Sequence, residues 1–192
     1  VHESFLIKSS LFFRKALSGG WLEAKDRLVK LPEEEPAVFQ DYVHYLYTNT
    51  LCVKSDTKLD GNDGPNEMVS LVKLFVLAET LQDPDMKKVV IAAVYNGLWE
   101  IRNAGSKIPV LELISVVYEG TPVGSSMRRL LVDFFTYYAG GSTFRKDEVY
   151  PHDFMQELAI NLAGKRFPSL DNSPIFKDPS VYVGMATLTT GG

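Results

Sequence analysis

Val1-His2-Glu3-Ser4-Phe5-Leu6-Ile7-Lys8-Ser9-Ser10-Leu11-Phe12-Phe13-Arg14-Lys15-Ala16-Leu17 opens the chain and decides how the rest is read. Its apolar residues form two groups, Phe5 and Leu6, then Phe12, Phe13, Ala16 and Leu17, with Ser9-Ser10 between them. The doublet predicts two short helices. Ser9 or Ser10 can cap the second, its hydroxyl accepting a bond from a backbone N–H that would otherwise lack a partner. Ser18-Gly19-Gly20 then ends that helix, because glycine tolerates the left-handed conformation at a helix C-terminus. In Arg27-Leu28-Val29-Lys30-Leu31, Val29 and Leu31 fall on one face, and the alternation predicts a short strand.

Downstream the pattern turns helical. Pro36 fits a first helical turn, preceded by the acidic run Glu33-Glu34-Glu35, and Phe39, Tyr42, Val43 and Leu46 make one apolar face. Leu51 and Val53 predict a second brief strand, and Ser55 to Asn66 a polar surface loop. Met68, Leu71, Val72, Phe75 and Ala78 mark the next helix. Pro84 opens another, with Met86, Val90, Val94, Gly97, Leu98 and Ile101 on its face, and Asn103 to Lys107 breaks the pattern. A second helical group follows: one helix from Pro109, one within 122–139 carrying Met127, Leu130, Leu131, Phe134, Phe135 and Tyr138, and one from Pro151 carrying Phe154, Leu158 and Leu162. Beyond Phe167 the periodicity is lost among Pro168, Pro174 and Pro179, which predicts a flexible tail.

Composition excludes several classes. With 45% hydrophobic residues in 192, the chain can bury a core and is too apolar to be disordered throughout. Its longest strictly apolar run, Val89 to Tyr95, is far short of the roughly 20 residues of a membrane helix. Twenty basic against 24 acidic residues give no overall positive field for a nucleic-acid backbone. The single cysteine, Cys52, excludes an internal disulfide framework and a multi-cysteine zinc site. The expectation is an intracellular protein of cytoplasm or nucleus. The start at Val1-His2, without methionine, predicts a fragment.

No constellation for catalysis stands out. His2, His44 and His152 are far apart in sequence, and none belongs to a metal-ligand pair. Cys52, beside a predicted strand, reads as a small buried hydrophobe. Gly120-Thr121-Pro122-Val123-Gly124-Ser125-Ser126 lacks the lysine of a phosphate loop, and a helix cap at Thr121 or Ser125 explains it with less. Lys87-Lys88 and Arg128-Arg129 read as solvated flank charges beside apolar stripes. No enzyme activity, cofactor, metal or direct nucleic-acid contact is expected.

One resemblance orders these observations. His2 ahead of a helix, Ser10-Leu11-Phe12-Phe13, Gly20-Trp21-Leu22-Glu23-Ala24, Val29-Lys30-Leu31-Pro32-Glu33, Pro36-Ala37-Val38-Phe39 and Tyr45-Leu46-Tyr47-Thr48 follow one another over nearly 50 residues. Together they resemble the BTB/POZ domain, in the versions common in fungal proteins. Leu74-Phe75-Val76-Leu77-Ala78-Glu79 and the helix after it look like that family's closing helical pair, so the resemblance covers residues 1–102. Residues 103–168 are similar to the helical extension that follows such domains, and 169–192 form the tail. The resemblance implies a mostly helical α+β fold, a small sheet flanked by helical hairpins. It lacks here the N-terminal β-hairpin with which the family begins, and a homodimer that uses that region is in question.

The implied function is non-catalytic protein–protein interaction. One form is a substrate-recruiting adaptor of a cullin-based ubiquitin ligase; the alternative is a homotypic assembly domain of a transcriptional or chromatin regulator. The partner is then a cullin scaffold or a second copy of the chain. Cullin-recruiting members carry a hydrophobic-x-Glu motif before their third strand, and Trp21-Leu22-Glu23 occupies that place, which makes Trp21 and Glu23 the partner-binding candidates. A structural role for Trp21, covering the core near Leu28, stands beside that one.

Overall fold

A computed structural model of the chain describes residues 1–18, 22–51, 63–104, 108–140 and 143–165. Nine helices run through them in the order α1 (Glu3–Ser9), α2 (Leu11–Leu17), α3 (Leu22–Asp26), α4 (Pro36–Thr48), α5 (Asp63–Thr80), α6 (Pro84–Ala104), α7 (Val110–Gly120), α8 (Ser126–Tyr138) and α9 (His152–Lys165). The serine doublet does divide the opening segment. Ser10 adopts an extended conformation between α1 and α2, and its hydroxyl accepts from Phe13 N at 3.1 Å. The predicted stop at Gly19-Gly20, Cys52, Val53 and the tail 169–192 lie outside the described residues. Helix α5 begins at Asp63, inside the stretch expected to be loop.

The centre of the molecule is the α5–α6 hairpin. Helix α5 is apolar almost all round, with Met68, Leu71, Val72, Leu74, Phe75, Leu77 and Ala78 buried, so it must be covered on every side. Helices α4, α6 and α7 supply that cover. At Gly120 the approach is close enough that a Cβ would collide with the Val76 side chain, so α7 meets α5 through its glycine. Helix α6 contributes Met86, Val90, Val94 and Leu98 along one stripe. Farther out, Tyr118 of α7, Phe135 of α8 and Phe154 of α9 pack edge to face, their rings 5.5 to 5.8 Å apart. Buried residues of α1, α2 and α4 through α9 belong to one core.

The turn between α5 and α6 gathers polar ends of other elements. Gln82 sits at φ 53°, which bends the chain sharply into Asp83. Asp83 is 1% exposed; its Oδ1 accepts from Met86 N at 2.9 Å and from Asp85 N at 3.1 Å, capping α6. Its Oδ2 accepts from the Tyr42 hydroxyl of α4 at 2.9 Å. Ser10 donates to Leu81 O at 2.5 Å, and Leu11 N donates to Gln82 O at 3.4 Å, which docks the start of α2 on the same turn.

The architecture corrects the expected α+β fold: among the described residues there is no strand and no sheet. Arg27 takes a left-handed φ of 51°, and Leu28 to Leu31 then run without regular secondary structure, with Val29 and Leu31 packed against the core. Leu28, 57% exposed, and Lys30 face outward. The alternation therefore reports burial correctly. A strand also needs a neighbour to share its N–H and C=O groups. Among the described residues no backbone group pairs with Val29 or Lys30.

Candidate interaction surface

The segment Leu28–Leu31 forms part of the wall of two grooves. One, of about 840 Å³, has Phe12 and Ala16 of α2 with Leu28 and Val29 as its apolar lining; Lys15, Glu23, Asp26 and Lys30 add two charges of each sign. The other, of about 680 Å³, shares Leu28 and Val29 and reaches Leu6, Phe13 and Leu17 of the first two helices and Phe39 of α4. An ion pair between Arg27 and Glu3 links its two sides. Glu34 also lines it, and burial, the largest cause, pushes that carboxyl above its usual range, while a hydrogen bond with Thr80 opposes the shift.

Beside the second groove, α1 and α4 expose an aromatic patch. Phe5 and Tyr47 lie with ring centroids 4.8 Å apart, and both are exposed. The Tyr47 hydroxyl accepts from His2 N at 2.9 Å and meets His2 Nδ1 at 2.6 Å. Apolar rings held at an exposed edge, next to grooves with mixed charge, suit contact with another macromolecule better than bond-making chemistry.

The residues singled out in the sequence fall unevenly on this surface. Glu23 is exposed on α3 and lines the first groove. Trp21 lies outside the described residues. His2 pairs with Tyr47, His44 is half-buried on α4, and His152 is exposed beside Asp153, with Nδ1 3.7 Å from its Oδ1. Among the described residues no group of three or more His, Cys, Asp or Glu could hold a metal ion. Among them, too, no helix is long and apolar enough to cross a membrane. The glycine-rich stretch after α7 is a helix junction: Thr121 Oγ1 donates to Val117 O at 2.5 Å, and Ser125 accepts from Met127 N at 3.4 Å.

Arg128 overturns its expected role as a solvated flank charge. It is 5% exposed, donates from Nε to Thr121 Oγ1 at 3.1 Å and from Nη2 to Tyr118 O at 2.7 Å, and lies over the Tyr118 ring. The end of α7 leaves carbonyls without helical partners, and the guanidinium binds them across the junction. Thr121 at the end of α7, seven residues before an arginine in the next helix, was the available signal. Lys87 is likewise half-buried and pairs with Glu79 at 3.0 Å.

Comparison with known proteins bears on the same part of the chain. Residues 1–93 match the family model of the BTB/POZ domain, a protein–protein interaction module, and the match contains both grooves and the aromatic patch. No curated protein matches the chain.

Proposed function

With a BTB/POZ match over residues 1–93 as the premise, we propose that the protein is a non-catalytic adaptor that recruits a protein partner through its N-terminal half. The observation that carries this reading is the pair of grooves around Leu28 and Val29, where among the described residues no backbone group pairs with Val29 or Lys30. In the finer form of the proposal the domain is of the fungal type and its partner is a cullin scaffold of a ubiquitin ligase, met by Trp21 and Glu23. Residues 1–102 are then the recruiting unit, 103–168 a helical extension that supports it, and 169–192 a tail. Retention of the whole chain on an immobilised cullin scaffold tests this form. Binding that falls at least about tenfold in a Trp21→Ala/Glu23→Ala variant supports it; no retention, or retention unchanged by the variant, overturns it.

The exposed Phe5–Tyr47 patch favours a second reading, homotypic assembly in a transcriptional or chromatin regulator. Light scattering separates the two. A dimer that Phe5→Glu converts to monomer supports assembly, and a wild-type chain that stays monomeric at high micromolar concentration sinks it.

A further inference from the structure

A second exposed aromatic face lies outside the grooves and does not rest on the reading above. Tyr95, Trp99 and Arg102 follow one another on one side of α6 at spacings of four and three. Tyr138, the last residue of α8, closes against them: its ring centroid is 5.1 Å from that of Trp99, and Trp99 is 6.2 Å from Tyr95. The Arg102 guanidinium carbon lies 4.2 Å from the Tyr138 centroid and 5.1 Å from that of Trp99. Tyr95, Arg102 and Tyr138 are exposed and Trp99 is half-buried.

Cation–π contact with two rings restrains the guanidinium before any ligand arrives. Yet among the described residues no carboxylate forms an ion pair with Arg102, and no hydrogen bond engages its donors. Lys88, farther along α6, is already paired with Asp85 at 3.2 Å. Arginine donors form a planar fork that matches a carboxylate, and the flanking rings offer flat apolar surface for a proline or aromatic side chain. Tryptophan, tyrosine and arginine are also the residues in which binding energy concentrates at protein interfaces.

We propose that the Tyr95–Trp99–Arg102–Tyr138 face binds an extended acidic peptide segment of a partner protein. A carboxylate of that segment pairs with Arg102, and a neighbouring proline or aromatic ring packs on Trp99 and Tyr138. The test uses the full chain and an array of synthetic 12-residue peptides rich in Asp and Pro, each beside its Asp→Lys and Pro→Gly counterparts. Hits are titrated by fluorescence anisotropy. The chain has two tryptophans, so a Trp21→Phe background leaves Trp99 emission as a local reporter.

The expected result is saturable binding of acidic peptides that changes Trp99 emission and weakens at least about tenfold in Arg102→Gln, and further in Arg102→Glu. Arg102 is exposed, and an unchanged melting temperature shows that either variant is folded. Equal binding of the Lys counterparts, or binding indifferent to both variants, overturns the proposal. So does a dimer that Arg102→Glu dissociates, which makes a second copy the occupant. An Asp171→Asn/Asp178→Asn variant that binds added peptide more tightly also overturns it, in favour of the chain's own C-terminal residues.

Discussion

Asp83 joins two helices, α4 and α6, with its two oxygens, and its removal should be felt in both. Asp83→Ala takes away the α6 cap, worth roughly 1 kcal/mol, and leaves the buried Tyr42 hydroxyl without an acceptor, at roughly 1–3 kcal/mol. The expected loss in urea unfolding is about 2–4 kcal/mol. Asp83→Asn keeps acceptor oxygen at the site and should lose less than half of that. At this scale the sequence was partly legible. Ser9 or Ser10, and Thr121 or Ser125, were the expected caps, and Ser10 and Ser125 fill those roles, because a cap is a local event, settled within three residues. Arg128 and Asp83 did not, because their partners at α7 and α4 arrive only through the tertiary fold.

Among elements, the helices were readable wherever apolar residues recurred on one face, and α5 to α9 carry most of the expected stripes into the core, with Tyr138 of α8 left exposed. Helix α4 buries Val38 and Tyr42 more deeply than Phe39, Val43 or Leu46, a rotation of the expected stripe that places Tyr42 over the α5–α6 turn. The five-residue α3 was not foreseen, since so short a helix shows no periodicity. The expected strand at residues 27–31 failed for a different reason. Alternation records which side chains face the core, whereas a ladder also depends on a partner segment, and no backbone group among the described residues takes that part. The aromatic face of α6 and α8 was hidden in the same way, because Trp99 and Tyr138 meet only across two helices. Close helix approach gives the prediction at this level. Gly120→Ala pushes a methyl group into Val76, a branched side chain on a packed helix, and should lower stability by about 1–3 kcal/mol in thermal unfolding.

For the molecule as a whole, the buried tyrosines set an upper pH limit. Burial is the largest cause raising the Tyr42 phenol, with Asp83 adding to it; burial also leads at Tyr118, with Glu157 adding to it. The folded protein therefore holds both protons after the unfolded chain begins to lose them near pH 10. The stability contributed by the neutral phenols is fully present below that pH and falls as pH rises above it. The slope approaches about 1.4 kcal/mol per pH unit for each tyrosine. Alkaline titration of the unfolding free energy should show this fall, and Tyr42→Phe/Tyr118→Phe should flatten it, at some cost in stability at neutral pH.

The run from Leu28 to Leu31, where among the described residues no backbone group pairs with Val29 or Lys30, bears finally on how the protein behaves when crowded. A backbone stretch with unpaired groups is adhesive to any similar backbone, including that of another molecule of the same kind. Lys30, exposed at its middle, places a positive charge where two such runs would meet in antiparallel register, and like charges directly opposite repel. By that argument the charge of Lys30 opposes the pairing of two such runs.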